Sequence, residues 1–225
     1  KKRLLMNGVD VSTRYTMRSR EMYQRYATYI FRVVKAKMGN YLIFFPSYRF
    51  MEDVYQEFTQ LLASDEEEME LVIQQKHMDE EERENFLRAF EMGREKSLIG
   101  FGVLGGIFSE GIDLTNEKLI GTLIIGTGLP QVCNEREILK SYFDQKGLYG
   151  FDYAYRYPGM NKVLQAAGRV IRTEDDRGVI LLLDERFQRE KGKEIFPKEW
   201  ADCERCRLDI VEEKIRLFWE KQTDN

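Results

Sequence analysis

Tyr41-Leu42-Ile43-Phe44-Phe45-Pro46-Ser47-Tyr48 is the stretch that decides the architecture. Five consecutive apolar residues are the signature of a short strand covered on both faces, because a strand with one wet face would alternate. Ser47 then stands where a hydroxyl caps a helix, which is expected to run to about residue 62. Upstream, Tyr23, Tyr26, Ala27, Ile30, Val33 and Val34 share one side of a 3.6-residue period. They predict an amphipathic helix over 18–38 that ends at Gly39.

The same alternation continues downstream. Strands are expected at 71–73, 97–103, 119–125 and 179–183, and helices at 79–92, 134–145 and 159–172. Residues 147–158 read as a loop whose Tyr and Phe content serves packing or a surface for bases. Leu208, Val211, Ile215, Phe218 and Trp219 mark a last amphipathic helix. Alternating β and α elements predict an α/β fold of three layers, a mainly parallel sheet with helices on both faces. With no internal repeat, low-complexity linker or second boundary, 1–225 reads as one domain with an unassigned helical tail over 190–225.

Composition narrows the function classes. The chain has 225 residues, 43% hydrophobic and 33% charged, within the range of globular proteins. No apolar run approaches the roughly 20 residues of a membrane helix. Three cysteines without framework spacing fit a reducing, intracellular compartment. The chain opens on Lys1-Lys2-Arg3, without Met or a signal-peptide pattern, and is expected to be a piece of a longer protein. A net charge of −4 gives no global field for a polyanion, so any nucleic-acid contact must be local. The acidic runs at 65–68 and 79–82 read as a solvated loop and a helix first turn.

Three segments could carry chemistry, and the places to look in an open α/β sheet are those that follow strands. On the helix expected over 159–172, Val163, Ala166, Ala167, Val170 and Ile171 form an apolar stripe, and Gln165, Arg169 and Arg172 align opposite it. Guanidinium forks match phosphate oxygens and stay charged, although an amphipathic helix with solvated arginines has the same spacing. Gly105-Gly106-Ile107-Phe108-Ser109-Glu110-Gly111-Ile112-Asp113-Leu114 is a glycine-punctuated run after a strand, either a structural turn or a close approach to phosphate or ribose. Pro46-Ser47-Tyr48-Arg49 offers free N–H groups and a hydroxyl at a helix start, though most such caps bind nothing.

Several patterns are missing. There is no G-x-x-x-x-G-K-[ST], so the chain has no phosphate-cradling loop of its own, and no G-x-G-x-x-G opens a helix after a strand. His77 is the only histidine, and Cys203-x-x-Cys206 is half of a zinc pattern with only Cys133 and His77 left to complete it. No metal site is expected.

In this order the segments resemble the second motor domain of superfamily-two helicases of the XPD/DinG type, over about 13–187. Residues 41–48 resemble motif IV and its surroundings, Ser109-Glu110-Gly111-Ile112-Asp113-Leu114 resembles motif V, and Gln165-x-x-Gly168-Arg169-x-x-Arg172 resembles motif VI. Thr13-Arg14-Tyr15 with Arg18, Gly128-Leu129-Pro130, and Asp176-Arg177-Gly178 leading to Leu183-Asp184-Glu185-Arg186-Phe187 fit as flanks.

The resemblance implies a RecA-like domain that closes on ATP and magnesium held by a first RecA-like domain carrying the phosphate loop. It implies that Arg172 and Arg169 reach the triphosphate and that Gln165 orders the nucleotide and attacking water. Asp113, Glu110 and Gly111 would link nucleotide to motif V, and Ser47, Tyr48 and Ser109 would hold single-stranded DNA. The intact protein would be an ATP-dependent DNA helicase, and this chain alone would be inactive. DNA repair is the setting that the family implies. Gln131-Val132-Cys133-Asn134 stands where DinG-like members continue with prolines, and is closer to the XPD branch. The family's iron–sulfur cluster belongs to the first domain, so none of the three cysteines is assigned to it. A non-catalytic RecA-like binding module and an RNA or duplex translocase are the alternatives.

Overall fold

The computed structural model describes residues 2–66, 68–91, 95–108, 119–170, 176–189 and 194–221. Among them seven strands build one sheet: β1 (Arg3–Gly8), β2 (Asn40–Phe45), β3 (Met69–Ile73), β4 (Ser97–Val103), β5 (Gly121–Ile125), β6 (Gly178–Leu183) and β7 (Glu204–Cys206). Their order is β3-β4-β2-β5-β6-β1-β7 and every pairing is parallel.

The apolar run of β2 divides between two cores as the period of two demands. Tyr41, Ile43 and Phe45 face a core shared with α1 (Arg20–Ala36), α2 (Tyr48–Ala63) and the last helix. Leu42 and Phe44 face a second core, to which α3 (Glu80–Arg88) and α5 (Tyr157–Ala167) contribute. Helices therefore cover both faces of a RecA-like α/β sheet.

Helix starts follow the chemistry of the sequence. Ser19 and Ser47 each accept the N3 backbone N–H, from Met22 and Phe50, at 3.2 Å. Asp79 and Glu82 form a reciprocal capping box, so the acidic run at 79–82 sits in the first turn of α3, where the helix dipole favours it.

Three expectations are corrected. The loop expected at 147–158 is helical from Gly150, with a π-helical turn over Asp152–Arg156 that runs directly into α5. Its aromatic rings hold it there: Tyr153 stacks on Phe143 of α4 (Asn134–Gln145) at 4.2 Å, and the Tyr155 hydroxyl donates to Glu137 at 2.5 Å. The helix expected over 159–172 ends at Ala167. After Gly168 N–H donates to Leu164 O, the next bonds shorten to three-residue spans, Arg169 to Ala166 and Val170 to Ala167. The tail is more than helical, for 194–221 supply β7, Trp200 in the second core, and α6 (Val211–Glu220) in the first.

One close approach fixes the path of α5 across the sheet. A Cβ on Gly128, whose φ is +67°, would stand 2.5 Å from Gly159 O, and one on Gly159 would stand 2.8 Å from Thr127 O. Both obstacles are backbone and cannot swing aside. Gly159→Val is expected to push α5 off the 126–130 loop and lower stability by about 2–3 kcal/mol, as overpacking does; denaturant titration of the purified variant measures it.

Candidate functional site

An all-parallel sheet brings the carboxyl ends of its strands to one edge, and here the registers align them. Phe45 lies beside Val103, Phe44 beside Ile124, and Ile125 and Gly8 both beside Leu183. The segments after β2, β3 and β4 open together into a groove of about 670 Å³ lined in part by Tyr48, Lys76, His77 and Arg83, with the carboxylates of Asp79 and Glu82 also on its wall. Ser47 caps the start of α2, next in sequence to Tyr48 of the groove wall. Its hydroxyl oxygen accepts from Phe50 N–H, which leaves the hydroxyl hydrogen as a donor. Tyr48 does not present a free hydroxyl. Gln74 Nε2 donates to it at 2.8 Å, and it lies 3.5 Å from Gln75 O.

Farther along the same edge, past β5, the flanks 13–14 and 184–187 meet. Asp184 is fully buried at the end of β6, where Oδ2 accepts from Thr13 N–H at 3.0 Å and Thr13 Oγ1 at 2.8 Å. Arg186 closes the cluster with Nε on Asp184 Oδ1 and Nη2 on Oδ2, both at 2.8 Å, and Nη2 also donates to Thr13 Oγ1 at 2.6 Å. Burial alone would raise the Asp184 pKa. The hydrogen bonds and charge of Arg186, with the backbone N–H groups of Arg186 and Thr13, outweigh burial and hold the carboxyl below its ordinary range.

A crevice of about 310 Å³ follows β5 and β6, walled by Leu129, Phe151, Met160 and Phe187, with Arg156 and Arg186 at its polar side. Arg156 Nη1 pairs with Asp152 at 2.7 Å, while its Nη2 is buried with no hydrogen-bond partner, and so is Thr127 Oγ1. Two unpaired polar atoms in an aromatic crevice match the needs of a planar, hydrogen-bonding guest. Sequence reasoning missed this place, because its walls come from four separated segments. The aromatic run 149–157 was the only signal.

The remaining site residues lie elsewhere. Gln165 is exposed and Arg169 half-buried at the far end of α5, where Val170 packs on Gly178 at the amino end of β6. The stripe opposite them is buried as expected at Val163, Ala166, Ala167 and Val170. Because α5 has ended at Ala167, Arg169 follows in a tighter turn and does not continue the helix that carries Gln165. Arg172, Ser109, Glu110, Gly111 and Asp113 fall outside the described residues. On either side of 109–118, Phe108 and Leu119 both pack into the second core, the one α5 covers.

The thiols lead away from chemistry. Cys206 is buried on β7, and burial pushes its pKa up to about 12. Among the described residues no group of three or more His, Cys, Asp or Glu is placed to hold a metal, and no helix is long and apolar enough to cross a membrane.

The profile of the helicase C-terminal domain family matches residues 30–203. The ATP-dependent DNA helicase XPD of Sulfolobus acidocaldarius is 30% identical over 187 residues, 80% of this chain and 31% of that protein. The chain belongs to the helicase C-terminal domain family. In Saccharomyces cerevisiae, the general transcription and DNA repair factor IIH helicase subunit XPD/RAD3 is 28% identical over 82% of this chain and 24% of that protein. A solved apo XPD structure superposes with a TM-score of 0.73 at 24% identity, over 92% of this chain and 40% of that one. This helicase C-terminal domain thus spans a quarter to a third of the curated relatives it matches.

Proposed function

We propose that this XPD-type helicase C-terminal domain, with 194–221 as an integral part, is the second half of an ATP-driven DNA motor. It completes a nucleotide site shared with a first RecA-like domain and grips single-stranded DNA. The observation that carries the reading is the separation of two polar surfaces on one sheet. The Ser47 donor, the Lys76–His77–Arg83 groove and the Arg156 crevice gather at the carboxyl edge. Gln165 and Arg169 lie at the opposite end of α5, with the flanks of 109–118 packed in the core that α5 covers.

The chemistry of each surface suits its role. Backbone N–H groups at a helix start, a hydroxyl and local cations hold phosphates whatever the base, and aromatic walls with a guanidinium stack and hydrogen-bond bases. Arg172 and Arg169 would neutralise charge as the terminal phosphoryl group departs, and Gln165 would orient the attacking water. Asp113, Glu110 and Gly111 would link that site to the strand held at Ser47, Tyr48 and Ser109. The guanidinium and amide of Arg169 and Gln165 at the end of α5 suit phosphate oxygens; magnesium would be held with the nucleotide by the first domain. Closing the cleft on ATP would then shift the strand-gripping edge relative to the first domain.

The 225-residue chain alone is expected to bind a fluorescent single-stranded oligonucleotide weakly, with affinity falling as salt rises, and to hydrolyse no ATP above a mock preparation. Turnover by the chain alone would overturn the half-motor reading. Equal preference for RNA or duplex in the same titration would favour a translocase of another substrate.

A further inference from the structure

Gln74 is 3% exposed, immediately past β3, at the wall of the groove, and no binding role has been assigned to it. Its backbone N–H donates to Phe101 O at 2.8 Å and extends the β3–β4 ladder by one bond. Its side chain then does what the next strand residue would have done: Oε1 accepts the N–H of Val103, at the end of β4, at 2.9 Å. The other end of the amide, Nε2, donates to the hydroxyl of Tyr48, the residue after the Ser47 cap.

Two glycines make room for this amide. A Cβ on Gly102 would lie 3.3 Å from Oε1, and one on Gly106 would lie 3.0 Å from Nε2. The spacing of glycines through Gly102 and Gly106 thus has a concrete cause, a buried carboxamide threaded between two strand ends. A single side chain thus ties the 74–77 segment to Tyr48 at the start of α2 and to Val103 at the end of β4, from which the 104–107 turn leaves, and these segments wall the 670 Å³ groove.

We propose that Gln74 is a positioning residue for the nucleic-acid groove, holding Ser47 and the Gly105–Gly106 turn at the spacing that a strand backbone requires while touching no phosphate itself. This rests on the proposed strand-gripping role of the groove. The alternative is a purely structural amide, whose loss would lower stability and leave affinity alone.

The test is oligo-dT binding by the 225-residue chain, followed by fluorescence anisotropy across a salt series, with the thermal midpoint of each variant measured in parallel. Gln74→Met removes both hydrogen bonds at similar volume. Tyr48→Phe removes the acceptor of Nε2, together with the hydroxyl's own long bond to Gln75 O, and keeps the ring, so it reports even where Gln74→Met folds poorly. Measured well below their midpoints, both are expected to weaken binding roughly five- to tenfold, the scale of one or two net hydrogen bonds. The double variant should be no weaker than Gln74→Met, because both act through one contact.

The slope of affinity against salt should stay that of the parent chain, since Gln74 carries no charge to a phosphate, whereas Lys76→Ala should flatten it. Unchanged affinity in folded Gln74→Met and Tyr48→Phe, with Ser47→Ala weakened, would overturn the positioning role and leave the groove reading standing. If neither Ser47→Ala nor Lys76→Ala alters binding, the groove reading itself fails, and the positioning role with it.

Discussion

Arg172→Ala, in an intact helicase that carries this domain, is expected to cut single-strand-stimulated ATP turnover by roughly a thousandfold and to leave nucleotide binding largely in place. An arginine delivered from a second domain acts on charge that grows in the transition state, where such residues contribute about 10³–10⁵ in rate. Ground-state affinity comes mainly from the phosphate loop, which this chain lacks and the first domain would supply. Turnover and the ATP concentration for half-saturation, measured together, separate the two effects. A rise in that concentration with turnover intact would make Arg172 a ground-state binding group. No change in either would remove motif VI from the nucleotide site.

Asp184→Ala is expected to be the most destabilising single change among the residues described. It strips the fully buried partner from Arg186 and from both Thr13 donors, at the junction of 9–13, β6 and the 184–187 turn. Breaking a buried, hydrogen-bonded charge pair costs about 3–5 kcal/mol. For a chain of this size that lowers the thermal midpoint by roughly 6–20 °C.

The same carboxylate sets a pH dependence. Its native pKa lies below its unfolded one, so it stabilises the fold fully above the ordinary carboxyl range, about pH 3.9 in unfolded chains. That contribution is lost as pH falls through the native value. The midpoint gap between the parent chain and Asp184→Ala should therefore be widest near neutrality and narrow on acidification. Thermal unfolding followed by circular dichroism across pH checks both magnitude and sign. Equal midpoints at neutral pH would mean that the cluster adds no net stability.

Local rules carried much of the fold. The five-residue apolar run at 41–45 needs two cores whatever the rest of the chain does, and Ser19, Ser47 and Asp79 cap helices with bonds spanning three residues. The order of motifs along the chain was legible for the same reason, since each is a short pattern of residue types. The Ser47 donor and the buried stripe of α5 followed from position and period alone.

Other features depend on partners far away in sequence. Leu4-Leu5-Met6 becomes strand β1 because β6 and β7 flank it, and its register partners stand near 178–183 and 204–206. The stretch 147–158 became helical because Phe143 and Glu137 of α4 engage its tyrosines. The Asp184–Thr13–Arg186 cluster spans 173 residues of sequence, and Gln74 works only because β4 ends beside it.

By itself the sequence determined five of the seven strands, where most helices begin, and which family of motor domains it resembles, because periodicity, capping and motif spacing act within a few residues. Only the tertiary structure decided that 194–221 complete the sheet, that α5 stops before Arg169, and that Gln74 joins the start of α2 to the end of β4. Those outcomes are set by hydrogen bonds and contacts between groups that the chain brings together only once the parallel sheet has closed.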